Sequence, residues 1–218
     1  MSRGTLMVIA KEPVAGVVKT RLCPPCTPVQ AAALADATLR DTLAAVAGAR
    51  TPRRLVVLEG AAREWLAPTF EVTPQRGAGL GQRLAAAFDT CGGAGFLVAM
   101  DTPQLTPALL DRALDQLEDP GIDAVVGPTS DGGYWGIGFA VPRSGAFAGV
   151  PMSATTTLAR QLERLAELGL RTALLEELDD VDTISDARAV ADAAPHTRFA
   201  AVLAGVEAQA TRPTASSP

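Results

Sequence analysis

The sequence predicts a single α/β domain with a mostly parallel mixed sheet, helices on both faces and an antiparallel hairpin insertion. Three observations support this fold class. Short apolar, strand-sized runs alternate with helical segments along the 218 residues, which is typical of parallel sheets covered on both faces. A late segment alternates in the way that suits a hairpin, and neither a linker nor an internal repeat divides the chain. We therefore predict one domain over residues 1–209 and a disordered tail over residues 210–218.

The predicted strands are short and rich in apolar or β-branched residues. The clearest is F-L-V-A-M, which is continuous and is ended by Asp101. The segment 132–139 alternates and suits an antiparallel strand or hairpin. The remaining strands are predicted at residues 6–10, 54–58, 70–73, 123–127 and 170–175.

The predicted helices begin at recognisable capping residues. Thr27-Pro28 and Thr106-Pro107 each place an N-cap residue before a proline in the first helical position. Thr183 and Asp186 have the spacing of a capping box. Helices are therefore predicted over residues 28–46, 81–90, 107–117 and 154–168, with one more after Thr183.

The composition excludes some classes of partner. The chain carries 19 Lys and Arg against 24 Asp and Glu, a formal net charge of −5, which argues against a broad nucleic-acid surface. No apolar run approaches the ~20 residues needed to cross a bilayer, so we expect no membrane partner. The first apolar run is too short for a signal peptide, and we expect a cytoplasmic protein.

Cys23-Pro-Pro-Cys26 has the spacing of a redox pair or of half a zinc site. A zinc site lacks a second matching pair, because Cys91 has no close partner in sequence and His196 is the only histidine. The alternatives are a redox dithiol or two loop cysteines flanking a stiff turn, and we favour the second. Whether the two cysteines form a disulfide stays open.

Ligands of such sheets bind beyond the carboxyl ends of the strands. The segment after the first strand carries Lys11, Lys19 and Arg21 but only one glycine, Gly16, so it fits neither common glycine-rich phosphate loop. A lysine acts as a point charge and an arginine as a planar fork for phosphate oxygens. We interpret this segment as a polyphosphate-binding loop, in which backbone N–H groups near Gly16 add neutral donors.

Two acidic segments also follow predicted strands. Asp101 ends a buried strand, where a carboxylate is costly unless it has a partner. The run Asp179-Asp180-Val181-Asp182 precedes the last predicted helix, and alternation places Asp180 and Asp182 on one face. Mg²⁺ is commonly held by one or two carboxylates together with substrate phosphates and water. Asp101 together with a carboxylate from the acidic run therefore suits a Mg²⁺ site, although the acidic run alone is equally typical of a solvated turn with a helix cap.

Four motifs taken together resemble a known family. They are K-x-P-x-x-G-x-x-K-T-R-L at 11–22, D-T-P-x-L at 101–105, G-P-x-x-D-G-G-Y at 127–134 and D-V-D-T at 180–183. The chain resembles the radical-SAM/selenodomain-associated transferase family over nearly its whole length up to residue 195. This resemblance implies a Rossmann-like GT-A fold, that of nucleotide-diphospho-sugar transferases. The chain departs from the family pattern where Gly79-Leu80-Gly81 replaces Asp-Leu-Gly and Met100 precedes Asp101.

The basic loop is more distantly similar to the triphosphate loop of phospholactate and phosphoenolpyruvate guanylyltransferases. These resemblances imply Mg²⁺ or Mn²⁺ as cofactor, and they imply a set of site residues. The nucleotide-binding residues would be Lys11, Gly16, Lys19, Thr20, Arg21, Gln75, Gly81 and Arg83. The acceptor-binding residues would be Asp131, Gly132, Gly133, Tyr134 and Ser153. The metal ligands would be Asp101 and Asp182, and the catalytic residues Lys19, Arg21 and Asp131.

Three functions fit these residues. We favour nucleotidyl transfer from a nucleoside triphosphate to a small phosphorylated acceptor, because a phosphate monoester is already a dianionic nucleophile and needs no general base. The alternative is glycosyl transfer from a nucleotide-sugar, with Asp131 as base. A non-catalytic nucleotide-binding module is the third. Tyr134 and Trp135 suit either the core or a stacking wall, and the oligomeric state stays open, a homodimer included.

Overall fold

The computed structural model describes residues 4–61 and 66–210. The described chain contains one seven-stranded sheet flanked by six helices. The strands are β1 (Thr5–Lys11), β2 (Arg54–Glu59), β3 (Glu71–Pro74), β4 (Gly95–Ala99), β5 (Ala124–Pro128), β6 (Tyr134–Phe139) and β7 (Thr172–Leu174). The helices are α1 (Pro28–Gly48), α2 (Leu80–Cys91), α3 (Pro107–Glu118), α4 (Thr157–Glu167), α5 (Ile184–Ala193) and α6 (Arg198–Ala210).

The sheet has the order β3-β2-β1-β4-β6-β5-β7. Strand β6 runs antiparallel to both β4 and β5, and the other neighbouring pairs are parallel. The predicted fold class is therefore confirmed: a single α/β domain with a mostly parallel sheet and one antiparallel strand. The carboxyl ends of the six parallel strands lie at the same edge of the sheet.

Alternation along the strands divides the core between the two faces of the sheet. In β1, Leu6 and Val8 belong to the cluster under α1 and α3, whereas Met7 packs with α2 and α4 on the other face. All three side chains are 0% exposed. Burial on both faces explains why these strands read as continuous apolar runs.

Capping explains where several helices begin. Thr27 accepts a hydrogen bond from the backbone of Gln30, and the glutamine side chain bonds back, so a full capping box opens α1. The same reciprocal pair joins Thr183 and Asp186 at α5. The predicted element boundaries lie within about three residues of those observed, which is the usual uncertainty of such boundaries.

Helix α6 is not among the predicted elements. Its first turn is capped by Thr197, whose Oγ1 accepts from the backbone N–H of Ala200 at 3.1 Å. Asp41 of α1 accepts from the N–H groups of Arg198 and Phe199, which fixes α6 against α1.

The predicted tail begins at the last residue of α6, and residues 211–218 lie outside the described part of the chain. Within the described residues, no helix is long and apolar enough to span a bilayer.

Candidate active site

The basic loop follows β1 and crosses the carboxyl edge of the sheet. It ends in a short 3-10 turn, Thr20–Leu22. Lys19, just before that turn, has a φ of 51°, a left-handed conformation that is uncommon outside glycine. Its side chain is only 9% exposed. A lysine this buried requires partners that match its charge.

Lys19 finds those partners on two other loops. Its Nζ lies 2.9 Å from Asp101 Oδ1 and also donates to the backbone carbonyl of Val181. The N–H of Val181 in turn donates to the carbonyl of Asp101 at 3.1 Å. Lys19 therefore joins the loops that follow β1, β4 and β7. Because an ammonium group has three N–H donors, one is left for a ligand.

Arg21 pairs with Asp182 in a more open setting. Arg21 Nη1 donates to Asp182 Oδ2, and the arginine side chain is 71% exposed. Exposed ion pairs contribute at most about 1 kcal/mol. The guanidinium group can therefore exchange this carboxylate for a phosphate at low cost, which suits the predicted role of Arg21.

Lys11, Gln75 and Arg83 meet around a carboxylate that sequence reasoning missed, Glu59. Arg83 Nη1 lies 2.5 Å from Glu59 Oε2 and 3.1 Å from Gln75 Oε1, and Lys11 Nζ lies 3.6 Å from the same Glu59 oxygen. The hydrogen bond from Arg83, helped by Lys11, lowers the pKa of Glu59. Gln75 Nε2 donates to the carbonyl of Ala10 at 2.7 Å. Glu59 ends β2 and lies opposite Lys11 in the parallel register. This position at the end of a strand is the feature from which its place in the site could have been predicted.

Carboxylates line the other side of the junction formed by Lys19. Asp180 and Asp182 both face the cleft, and Val181 between them is 0% exposed, so the predicted alternation holds although this segment is not a strand. Burial raises the pKa of Asp180 to about 6, with smaller contributions from Asp131 and Asp101. Asp180 was not among the predicted site residues, yet it lines the same lobe as Asp101 and Asp182.

Asp131 belongs to a tight turn between β5 and β6. Its Oδ1 accepts from Thr129 Oγ1 at 2.5 Å and from the N–H of Gly133 at 2.8 Å. Gly132 has a φ of 88°, and a Cβ there would lie 2.0 Å from the carbonyl oxygen of Thr155. The structure therefore shows the turn chemistry of this segment and also places Asp131 on the wall of the cleft.

Trp135 and Tyr134 both line the cleft, but Trp135 is buried and Tyr134 is half-buried. Trp135 is 1% exposed, and its Nε1 donates to the carbonyl of Glu176 at 3.1 Å, so it is a core residue with a satisfied N–H. The hydroxyl of Tyr134 lies 3.4 Å from Gln161 Oε1, and burial raises the pKa of this phenol. Ser153, with a φ of 58°, lines both parts of the cleft, as Asp101 does.

The site is a cleft with two lobes that meet at Arg21, Asp101, Ser153 and Asp182. The basic lobe, about 560 Å³, is lined by Lys11, Lys19, Thr20, Gln75 and Arg83 in addition to the shared residues. The acidic lobe, about 430 Å³, is lined by Asp131, Gly133, Tyr134 and Asp180, again with the shared residues. The predicted residues not brought to the wall of either lobe are Gly16, Gly81 and Gly132.

The carboxylates at the junction fit a hard divalent cation. Asp101 and Asp182 present oxygen ligands on loops joined by the bond between Val181 and Asp101, and Mg²⁺ and Mn²⁺ prefer such ligands. The described residues contain no group of three or more His, Cys, Asp or Glu side chains arranged to hold a metal ion. Two carboxylates completed by substrate phosphates are the arrangement that suits Mg²⁺. Asp101 and Asp182 would hold the ion.

The three cysteines, all in the described part of the chain, are free thiols. Cys26 is buried and Cys23 is half-buried. Burial raises the pKa of the Cys26 thiol, and Cys23 raises it further. A raised pKa leaves less of the Cys26 thiol ionised at neutral pH, which fits the interpretation as a loop residue better than that of a reactive dithiol.

Comparison with solved structures finds the same fold in proteins that include named transferases. A protein provisionally assigned as a nucleotide-diphospho-sugar transferase, from Desulfovibrio desulfuricans G20, has a TM-score of 0.82 and 26% identity over 95% of this chain and 96% of its own. Rv0371c from Mycobacterium tuberculosis H37Rv, in a complex with manganese, has a TM-score of 0.54 and 23% identity over 88% and 98% of the two chains. The 2-C-methyl-D-erythritol 4-phosphate cytidylyltransferase from Thermus thermophilus has a TM-score of 0.54 and 16% identity over 95% and 100%.

The Desulfovibrio protein supports the predicted class of transferase enzyme, whereas the other two, below 25% identity, show the fold alone. A search of the curated proteins finds no match. A family model described as "Uncharacterized protein conserved in bacteria (DUF2064)" matches residues 34–154. This match spans more than half of the chain, and the protein therefore belongs to that family.

Proposed function

We propose that the protein is a divalent-metal-dependent transferase that moves a nucleotidyl group from a nucleoside triphosphate to a small acceptor and releases pyrophosphate. The observation that carries the proposal is the two-lobed cleft. Cations line one lobe and carboxylates the other, and the predicted metal ligands lie where the lobes meet. Such a transfer needs a place for polyphosphate, a place for an acceptor and a metal between them.

The chain's own residues divide the work as follows. Arg21 exchanges its partner Asp182 for the phosphates, and the free N–H of Lys19 binds a phosphate oxygen. Lys11 and Arg83, which share Glu59, hold the outer part of the basic lobe. Mg²⁺ or Mn²⁺ held by Asp101 and Asp182 would neutralise the charge that develops on the phosphate oxygens. Positioning and charge neutralisation account for catalysis of this kind.

The experiment is a nucleotide screen by thermal unfolding with and without Mn²⁺. We expect one nucleoside triphosphate to raise the unfolding temperature only when the metal is present, by an amount equivalent to about 2.7 kcal/mol at a hundredfold excess over Kd. In Asp101→Asn, the rise in unfolding temperature that depends on the metal should be lost. Arg21→Ala should weaken nucleotide binding about tenfold while its unfolding temperature without ligand stays unchanged. Glu163→Gln, on the exposed face of α4, is the matched control and should bind as the wild type does.

Absence of metal-dependent binding by every triphosphate contradicts the proposal. Binding that survives without turnover for any acceptor would identify the non-catalytic module instead. The screen also identifies the base, so it tests the predicted likeness to guanylyltransferases. The association with radical-SAM proteins stays a prediction from the sequence.

Glycosyl transfer is the second candidate, and one observation favours it. Asp131 lies on the acidic lobe, where a carboxylate can accept the proton of an attacking hydroxyl. The provisional assignment of the Desulfovibrio protein points the same way. Stabilisation by a nucleotide-sugar in preference to any triphosphate would replace the first proposal with this one.

A further inference from the structure

The acidic lobe has a charge that a phosphorylated acceptor does not match. Of the described residues that line it, four are aspartates and one is a cation, Arg21. The aspartates are Asp101, Asp131, Asp180 and Asp182. Arg21 already pairs with Asp182, and the only further cation in contact among the described residues is Lys19, which is bound to Asp101.

Counting these charges shows what the lobe can accept. Arg21, Lys19 and one divalent cation carry four positive charges, which the four carboxylates match even before the phosphates of the nucleotide draw on the same cations, so no positive charge is left over. A phosphate monoester brings a charge between about −1.5 and −2 at pH 7. Placed in this lobe it would meet the carboxylates of Asp131 and Asp180 without a cation of its own, and like charges brought together at a binding site disfavour the partner that carries them.

The polar groups of the lobe match hydroxyl groups instead. Ionised carboxylates are acceptors only, so each can take a hydrogen bond from an acceptor O–H, and bonds to a charged group are the stronger kind. Thr102, which also lines this lobe, is 0% exposed, and its Oγ1 has no hydrogen-bond partner among the described residues. A buried hydroxyl without a partner is unusual in a folded protein, and Thr102 belongs to the wall of the lobe in which the acceptor would be bound.

We propose that the acceptor is a small uncharged polyhydroxyl compound that reacts through one of its hydroxyl groups. This inference rests on the proposed function. In the reaction the hydroxyl oxygen forms a bond to the α-phosphorus of the triphosphate, the bond from that phosphorus to the bridging oxygen breaks, and pyrophosphate leaves with the electron pair. The hydroxyl proton passes to the carboxylate of Asp131 and then to solvent. A phosphorylated acceptor, which the sequence alone favours, is thereby replaced by an alcohol.

The test uses matched pairs that differ by one phosphate group: glycerol and glycerol 3-phosphate, inositol and inositol phosphate, glucose and glucose 6-phosphate. Each is titrated by calorimetry into the full chain with Mn²⁺ and a non-hydrolysable analogue of the triphosphate found in the nucleotide screen. We expect at least one uncharged member to bind, and to bind about tenfold or more tightly than its phosphate ester. Asp131→Asn should weaken the uncharged member about tenfold and leave the ester no weaker.

The amide introduced by Asp131→Asn keeps a side-chain oxygen that can accept from the N–H of Gly133, so this variant preserves the turn. Glu163→Gln is the control and should leave both affinities unchanged. Binding of an ester as tightly as its alcohol, or of no uncharged member of the panel, overturns the inference. Nucleotide binding is measured first in the same cell, so a failure of the proposed function appears there, before any acceptor is added.

Discussion

A single lysine links the three loops that form the junction of the cleft. Lys19 contacts both Asp101 and the carbonyl of Val181. The sequence predicts that Lys19 binds a phosphate group of the ligand. The structure adds a second role, in which Lys19 compensates the charge of the partly buried Asp101. The two roles are compatible because they use different N–H donors of one ammonium group.

Replacing Lys19 should therefore cost stability as well as ligand affinity. Lys19→Met removes the charge and keeps most of the volume, which leaves Asp101, 33% exposed, without its cation. We expect the free energy of unfolding to fall by about 2 kcal/mol, below the roughly 3–5 kcal/mol typical of fully buried pairs. The measurement is the midpoint of urea-induced unfolding of the protein without ligand.

Lys11→Met is the matched control, since Lys11 pairs with Glu59 at 3.6 Å and is 54% exposed. An exposed pair of this kind should contribute less than about 1 kcal/mol. Equal losses in the two variants would show that Lys19 has no special structural role and acts on ligands alone.

At the scale of elements, the turn between β5 and β6 is held from outside by the first turn of α4 and the loop before it. The carbonyl of Gly132 accepts from the N–H of Leu158 at 2.8 Å, and the carbonyl oxygen of Thr155 occupies the space where a side chain at residue 132 would lie. This contact ties the turn that carries Asp131 to the segment that carries Ser153, and both residues line the acidic lobe. Residue 132 must therefore be glycine for two reasons: its backbone has a positive φ, and Thr155 packs against the turn.

Gly132→Ala and Gly149→Ala separate these two effects. Both glycines have positive φ, 88° and 76°, but a Cβ at Gly149 would meet no atom within 4 Å. We expect Gly149→Ala to cost about 1 kcal/mol from backbone conformation alone. Gly132→Ala should cost more than about 3 kcal/mol, because the turn must also move away from Thr155. Thermal unfolding of the two variants measures the difference, and equal losses would mean that the turn relaxes freely.

At the scale of the whole molecule, the fold and the catalytic edge were predictable for different reasons. Continuous apolar strands ended by Lys11 or Asp101 mark the carboxyl edge of a parallel sheet, so the place of the site followed from local patterns. The pairing of Lys19 with Asp101 and Val181 was not predictable, since it joins residues up to 162 positions apart. Glu59 and Asp180 were missed as site residues for the same reason: their neighbours, rather than their own sequence context, give them a role.

Helix α6 is the largest element that sequence reasoning missed, and its packing shows how it supports the site. Phe199 and Leu203 on α6 belong to the same buried cluster as Leu22 and Val181. Those two residues flank Arg21 and Asp182 in the chain. A helix at the end of the described chain therefore shares a buried cluster with the loops that carry the ion pairs.

Phe199→Leu should consequently loosen the site, whereas the same substitution at Phe139 should not. Both rings are buried, at 0% and 1% exposure, and each variant should lose about 1–2 kcal/mol of stability. Phe139 pairs with Gly95 and Ala124 at the amino ends of β4 and β5, the edge of the sheet opposite the cleft. Amide hydrogen exchange should show faster local opening at the N–H groups of Leu22 and Val181 in Phe199→Leu alone, because these amides bond to Lys19 and Asp101. If both variants, or neither, accelerate exchange there, α6 supports overall stability and has no separate effect on the catalytic loops.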